Sequence, residues 1–444
     1  MKPATLLADA CFALVLLAGA ARAAPVSPEL GRLIAAPGLW ELSASDFMLE
    51  NAPIGFGYES QRRDCARSVN KRLTFQGQQV WEALVYFETG AVKRVELSLY
   101  NRGDAGPLEE TAFRQRVQVL NGALSQWAGS AVSAPDETTR DRANYVASKR
   151  TWIKPPFAVQ LSQAYMEPHL LNGTNVPFRS EFVKVAVLRL NSSAQVEKDA
   201  SNVSWMPGAG AVTIRKNVRR SDTGDVWIDG LPMVSQGAKG YCAAASAERL
   251  LRYYGRAVDQ HQVAQLADTA AKGGTSQEGM LQALEIIGQQ FSLEMKAIIK
   301  LDWNRMSRLI DDYNRTAAQA GKPLLSTDKR VIKVLPTYND MDTALLRKTK
   351  VRQTGEMAQF KNDVKSYTAD GVPLLWSCIV GKFPEVPPLS ITGAGGHLRL
   401  IIGYNEKTNE LLYSDSWGAG HELKRMPMDD AWSMTIALHV LRPK

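Results

Sequence analysis

Ser235 to Gly255 reads SQGAKGYCAAASAERLLRYYG, and this stretch decides how the second half of the chain is read. Ala243-Ala244-Ala245 opens with the strongest helix formers, so a helix is predicted over 242–254 with Cys242 at its first turn. A free thiol has a pKa of about 8.5, and a helix N-terminus beside an imidazolium lowers it to about 3.5–7.5. The small residues that follow leave room above the sulfur. Upstream, Gln236 is joined to the helix through Gly237-Ala238-Lys239-Gly240, a linker flexible enough to fold a side-chain amide back toward the thiol.

A cysteine at a helix start has an ordinary explanation as a small buried hydrophobe. What raises it above that is its company. His397 opens the β-rich run GHLRLIIGY after Gly393-Ala394-Gly395-Gly396, and a histidine at a strand mouth can serve a facing cysteine as its base. The run His397–Tyr404, a turn at Glu406–Asn409 and a second run Glu410–Ser414 form a predicted antiparallel pair, which returns Asp415 of LLYSDSWG to the side of His397. A carboxylate there fixes the imidazole tautomer and stabilises its charged form. Trp417 is placed to shield the pair from water, which strengthens their attraction. Gln236 and the backbone N–H of Cys242 supply two donors for a developing oxyanion. Gly240, Tyr241, Gly395, Gly396 and Trp417 flank these groups and are the candidate substrate contacts. His169, His261, His421 and His439 lack a comparable setting, and His169 and His261 read as surface residues.

No HExxH, CxxC, Walker loop or GxSxG competes with this constellation, and neither a metal nor an organic cofactor is expected. The order Gln236, Cys242, His397, Asp415, with GYCAAAS, GHLRLIIGY and SDSWG around its members, resembles the papain-like superfamily of cysteine peptidases. The closer resemblance is to the bacteriocin-processing, double-glycine-leader peptidases and their stand-alone relatives, over roughly 228–443. The resemblance implies Cys242 as nucleophile, His397 as base, Asp415 as its orienting carboxylate and Gln236 in the oxyanion hole, acting on a peptide or protein. Leader-processing members are fused to a transporter with membrane spans and an ATPase. This sequence shows neither, so leader trimming is not expected. A transpeptidase or other thiol acyl transferase on the same triad, and a catalytically silent peptide-binding protein, are the alternatives. The segments Lys322–Lys350 and Phe383–Leu389 look longer than a minimal member needs, and the second is placed to shape or cover the cleft.

The 444 residues exceed one ordinary core. The expected class is α+β: a papain-like domain over 225–444, its helical half (242–254, 259–271, 277–290, 303–319, 356–369) packed on an antiparallel sheet (373–380, 397–404, 410–414, 434–441), preceded by a separate smaller α+β domain. Thr275 and Ser276 sit where the helix over 277–290 would take its N-cap. The smaller domain, 24–190, carries a hairpin at Thr89-Gly90, a helix over 108–127 with Phe113, Val117, Leu120 and Leu124 on one face, and strands over 144–153, 157–164 and 181–190. No family is recognised in it, and its expected role is to hold substrate, a protein partner or the cell surface.

Residues 191–224, rich in Ser, Asn, Asp, Gly and charge, read as a linker. The net charge of +8 is modest, no stripe of Lys and Arg interleaves with aromatics, and Arg215, Lys216, Arg219 and Arg220 read as solvated linker, so nucleic acid is not an expected partner. Lys2, the apolar run Ala10–Ala21 and Ala21-Arg22-Ala23 read as a signal peptide over 1–23 and imply export to a periplasmic or extracellular space. No other run approaches the ~20 apolar residues of a membrane span, so stable insertion is not expected. Once Cys11 leaves with the signal, Cys65, Cys242 and Cys378 remain. Either Cys65 pairs with Cys378, leaving Cys242 over, or both are buried free thiols.

Overall fold

Thr89 and Gly90 take φ of 48° and 85°, the two left-handed positions that a two-residue hairpin demands, and so join Glu82–Glu88 to Ala91–Asn101. This hairpin lies inside a nine-stranded antiparallel sheet ordered Gly57–Tyr58, Cys65–Ser68, Glu82–Glu88, Ala91–Asn101, Arg179–Arg189, Phe157–Met166, Tyr145–Lys154, Val132–Ser133, with Glu137–Arg140 also on Tyr145–Lys154. Helix Glu110–Ala128 covers it with Phe113, Leu120 and Leu124, three of the four residues its periodicity puts on one face. The structure is a computed structural model. It describes residues 29–129, 132–133, 136–140, 144–171, 173–190, 214–237, 240–256, 260–267, 277–389 and 394–444. The expected signal over 1–23, Thr275-Ser276 and most of the expected linker lie outside the described residues.

The second sheet is also antiparallel, with eight strands. Its order is Val218–Arg220, Asp225–Ile228, Gly395–Asn405, Leu374–Val380, Thr435–Pro443 and Leu293–Ile299, while Glu410–Ser414 pairs with Gly395–Asn405 and Lys424–Pro427 with Glu410–Ser414. Strand alternation feeds two cores. Leu374, Trp376, Cys378 and Ile401 face helices Trp303–Gln319, Thr343–Val351 and Thr354–Ala369. Leu375, Leu398, Leu400 and Ile402 face helices Cys242–Tyr253, Gln260–Leu266 and Gln277–Gln290. The chain is thus α+β, with a curled antiparallel sheet and its helices at the C-terminal end and another domain before it.

Three sequence expectations need correction. Val218–Arg220, taken as linker, is a strand of the second sheet, turned into Asp225–Ile228 through Ser221–Gly224. Arg215, Lys216, Arg219 and Arg220 remain exposed as expected, with Arg215 2.7 Å from Asp370 and Arg219 3.7 Å from Asp229 at the surface. The division into a helical and then a strand half is broken by strand Leu293–Ile299 and helix Met428–Met434. His261, expected at the surface, is buried between the rings of Phe182 and Tyr241, because it sits where the two sheets' elements meet. The lengthened segment Lys322–Lys350 folds largely as helices Val334–Asp340 and Thr343–Val351.

Among the described residues, no helix is long and apolar enough to cross a membrane. Cys65 and Cys378 are both buried free thiols.

Candidate active site

Helix Cys242–Tyr253 begins at Tyr241 without a side-chain cap, so the N–H groups of its first turn lack intrahelical acceptors and point outward beside Cys242. Two residues on the same helical face tie it to the strands that bear its partners. Ser246, one turn on, donates its hydroxyl to the carbonyl of Leu398 at 3.0 Å, next to His397. Arg249, two turns on and fully buried, donates Nη1 to the backbone carbonyl of Asp415 at 2.7 Å, Nη2 to Ser414 Oγ at 2.5 Å and Nε to the carbonyl of Pro232 at 2.9 Å. The helix that bears Cys242, the histidine strand Gly395–Asn405 and the end of strand Glu410–Ser414 are therefore fastened by directional bonds as well as by packing.

The predicted hairpin turns at Glu406–Asn409, where Asn405 Oδ1 accepts from the amides of Lys407 and Thr408 and Asn409 takes a φ of 52°. That turn returns Asp415 to His397: His397 Nε2 lies 2.6 Å from Asp415 Oδ1. Asp415 Oδ1 also accepts the amide of Ser416 at 2.9 Å. With Nε2 committed to the carboxylate, Nδ1 is the nitrogen left to serve Cys242, which lies close enough to His397 for each group to shift the other's proton equilibrium. The Trp417 indole stacks on the imidazole at 4.5 Å and 19°, closing its other face.

The electrostatics follow from that arrangement. Burial alone pushes the Cys242 thiol up, but the charge and hydrogen bond of His397, with backbone hydrogen bonds from Leu398 and Ala243, outweigh it and hold the thiol below its ordinary value. Burial disfavours the His397 imidazolium. Asp415 and the Cys242 thiolate overcome this and raise its pKa to about 9. Desolvation opposes the Asp415 carboxylate as well, yet His397, Arg399 and Lys424 hold it far below the usual carboxylate range. The pair thus favours thiolate–imidazolium. Cys65 and Cys378 are the contrast: desolvation by burial raises both, and although Cys378 pairs across the strands with His397, its thiol meets the backbone carbonyl of that residue.

The histidine strand carries a residue that sequence reading passed over. Arg399, two positions beyond His397 on the same face, lies 2.8 Å from Asp415 Oδ2 and is 0 % exposed. It donates both terminal nitrogens to Glu385 at 2.9 and 3.0 Å, and Glu385 also accepts from Lys424 at 2.8 Å and from the Tyr413 hydroxyl at 2.7 Å. Two buried cations and two buried carboxylates therefore alternate behind the histidine. Glu385 belongs to the proline-rich segment Phe383–Leu389, which it pins beneath the site.

Gln236 is brought to the same place. Its amide donates to the Ser416 carbonyl at 2.9 Å and its Oε1 accepts the Ser416 hydroxyl at 2.8 Å, which orients the carboxamide with its nitrogen turned away from Ser416. The candidate contacts divide. A Cβ on Gly395 would meet nothing within 4 Å, so that edge is open, whereas Leu335 of helix Val334–Asp340 covers Gly396 at 2.9 Å from the same built position. Gly240 lies half-buried in the loop before the helix. Tyr241 departs from expectation: its ring is buried against Gly103 and His261, so it serves the junction with the N-terminal sheet and not a cleft wall.

The charge state of the pair makes a prediction. Iodoacetamide alkylation of Cys242 should begin at a pH below that of an ordinary thiol, about 8.5, because the imidazolium stabilises the thiolate. It should step up again near pH 9, where His397 loses its proton. Peptide mass mapping at pH 7 should find the label on Cys242 and not on Cys65 or Cys378; equal labelling of all three would contradict the charge assignment.

Comparison with curated proteins returns no match. Residues 228–436 match the Peptidase_C39 like family, which relates this part of the chain to the C39-type papain-like cysteine peptidases.

Proposed function

We propose that the chain is an exported cysteine peptidase that hydrolyses peptide bonds with Cys242 as nucleophile, His397 as proton carrier, Asp415 as its orienting carboxylate and Gln236 as an oxyanion donor. The observation that carries this reading is the committed geometry of His397: Nε2 held by Asp415 at 2.6 Å, one face covered by Trp417, and Cys242 close enough that its charge helps to hold the imidazolium. Export rests on the character of residues 2–23.

In the reaction the Cys242 thiolate attacks the peptide carbonyl carbon. A C–S bond forms and the carbonyl π pair moves to oxygen, where the Gln236 amide and the Cys242 backbone N–H receive it. Collapse of this adduct breaks the C–N bond, and the leaving amine takes its proton from His397. The neutral imidazole then takes a proton from water as that water attacks the acyl-thioester. The second adduct expels the thiolate, releases the carboxylic acid and leaves His397 protonated as at the start. Asp415 stays charged throughout and holds the ring in place.

The test is a peptide library incubated with the full chain, with and without prior iodoacetamide. Turnover that alkylation stops supports the reading, and alkylation-resistant turnover ends it. Adding a primary amine in the same assay separates hydrolysis from acyl transfer: the peptidase reading requires free acid to remain the main product.

A further inference from the structure

Ser235 and Gln236 belong to neither helix nor strand, so side-chain and backbone contacts from elsewhere must fix them. All three polar groups of Ser235 are held. Its amide donates to Glu59 Oε2 at 2.9 Å, its hydroxyl accepts from Arg67 at 3.3 Å and from the Gly237 amide at 3.3 Å, and its carbonyl accepts from Gln260 at 3.2 Å. Glu59 and Arg67 come from the N-terminal sheet, on the hairpin of strands Gly57–Tyr58 and Cys65–Ser68. Glu59 is 7 % exposed, and Arg67 is itself anchored to Glu82 at 2.6 Å.

The same hairpin grips the other side of the site. The amide of Gln61 donates to Glu422 Oε1 at 2.6 Å, and Glu422 Oε2 accepts the Gly420 amide at 2.8 Å, in the turn that follows Trp417. A third contact reaches the nucleophile's neighbour. Gly103 lies so close to Tyr241 that a Cβ on it would fall 2.4 Å from the phenol oxygen. The N-terminal domain thus touches the segment Ser235–Gln236, the residue before Cys242 and the turn beyond Trp417.

We infer that the N-terminal domain is a structural part of the active site, and that Glu59 is a positioning residue that holds Ser235 so that Gln236 stays aimed at the oxyanion. This rests on the peptidase reading for its catalytic meaning, while the mechanical claim, that Glu59 orders residues 235–237, stands apart from it. Glu59 touches no reacting atom, and its effect passes through one backbone hydrogen bond to the residue before the donor. The thiolate–imidazolium pair is fastened separately, by Ser246 and Arg249 from within the second sheet and its helix.

The test compares the full chain with Glu59→Ala and Glu59→Gln, the latter keeping a carbonyl oxygen for the Ser235 amide. Loss of a well-placed oxyanion donor costs about 100- to 1,000-fold, and a loosened one is expected to cost roughly 10- to 100-fold in kcat with KM little changed. Iodoacetamide alkylation builds no oxyanion, so its rate at Cys242 should stay within about two-fold of wild type, while a peptide aldehyde, whose adduct does build one, should weaken in step with kcat. Glu59→Gln should restore most of both. Hydrogen exchange at 232–237 should speed up in Glu59→Ala and return in Glu59→Gln. Undiminished kcat in a folded Glu59→Ala overturns the inference, as does a parallel loss of alkylation rate or unchanged exchange at 232–237. Absence of wild-type turnover would instead sink the peptidase reading and leave the exchange data to decide the mechanical claim. If Glu59→Ala does not fold, Ser235→Ala, which removes the acceptor used by Arg67 and Gly237, is expected to shift kcat and exchange in the same direction.

Discussion

Cys242→Ala is expected to lower peptide hydrolysis by about 10⁶-fold, with His397→Ala at a similar floor and the double variant no lower than either. The reason is that the two side chains act as one unit. The imidazolium is what makes the thiol a thiolate, and the thiolate, together with Asp415, keeps the imidazolium charged against burial. Removing either leaves the other without its catalytic state, so the second removal costs nothing more. Stability should respond differently. Cys242 is half-buried at a helix start where alanine is a good occupant, so Cys242→Ala should unfold within about 1 kcal/mol of wild type. Loss of activity without loss of fold distinguishes a missing nucleophile from a broken protein. Kinetics with one cleavable peptide, beside a urea melt, read both quantities. Substantial residual turnover in Cys242→Ala would exclude thiol catalysis. A wild-type Cys242 that reacts no faster than a simple thiol would point to the silent binding protein instead.

The members of this site were legible in the sequence because each sits at a boundary that local physics marks: a cysteine where a run of strong helix formers begins, a histidine where a β-rich run follows glycines, an aspartate one hairpin further on. Local pattern also sufficed for the Thr89-Gly90 hairpin and for most of the longer strands of both sheets. It failed where tertiary contacts decide. His261 is buried because Phe182 and Tyr241 close on it, and nothing beside it in the chain says so. Strand Leu293–Ile299 has a short apolar run that only its pairing with Thr435–Pro443 settles. Arg399 and Glu385 are charged residues in apolar surroundings, which sequence reading passes over unless it asks what neutralises them. Ser246 and Arg249 did carry a signal: spaced four and seven from Cys242, they place polar groups on the buried face of its helix.

The buried charges behind His397 lead to opposite predictions for two neighbouring substitutions. Glu385 is fully buried and neutralises both Arg399 and Lys424, so Glu385→Gln keeps the shape and leaves two buried cations facing Asp415 alone. Breaking a buried pair in this way costs about 3–5 kcal/mol, which a urea melt at pH 7 should show as lost unfolding free energy. The surplus positive charge also disfavours the imidazolium, so the alkaline limb of kcat/KM, set by His397 near 9, should move to lower pH. Arg399→Met changes the field with the other sign. Asp415 no longer shares its charge with a guanidinium, His397 holds its proton more tightly, and the same limb should move up, each shift being roughly one to two pH units. Glu385 retains Lys424 and Tyr413 in that variant, so its carboxylate keeps partners. Combining the two substitutions removes one charge of each sign and should recover part of the stability lost by Glu385→Gln, a coupling that a double-mutant cycle measures. Shifts of the alkaline limb in the same direction for both variants would mean that Arg399 and Glu385 act on the site through packing, since only charge reverses its effect with sign.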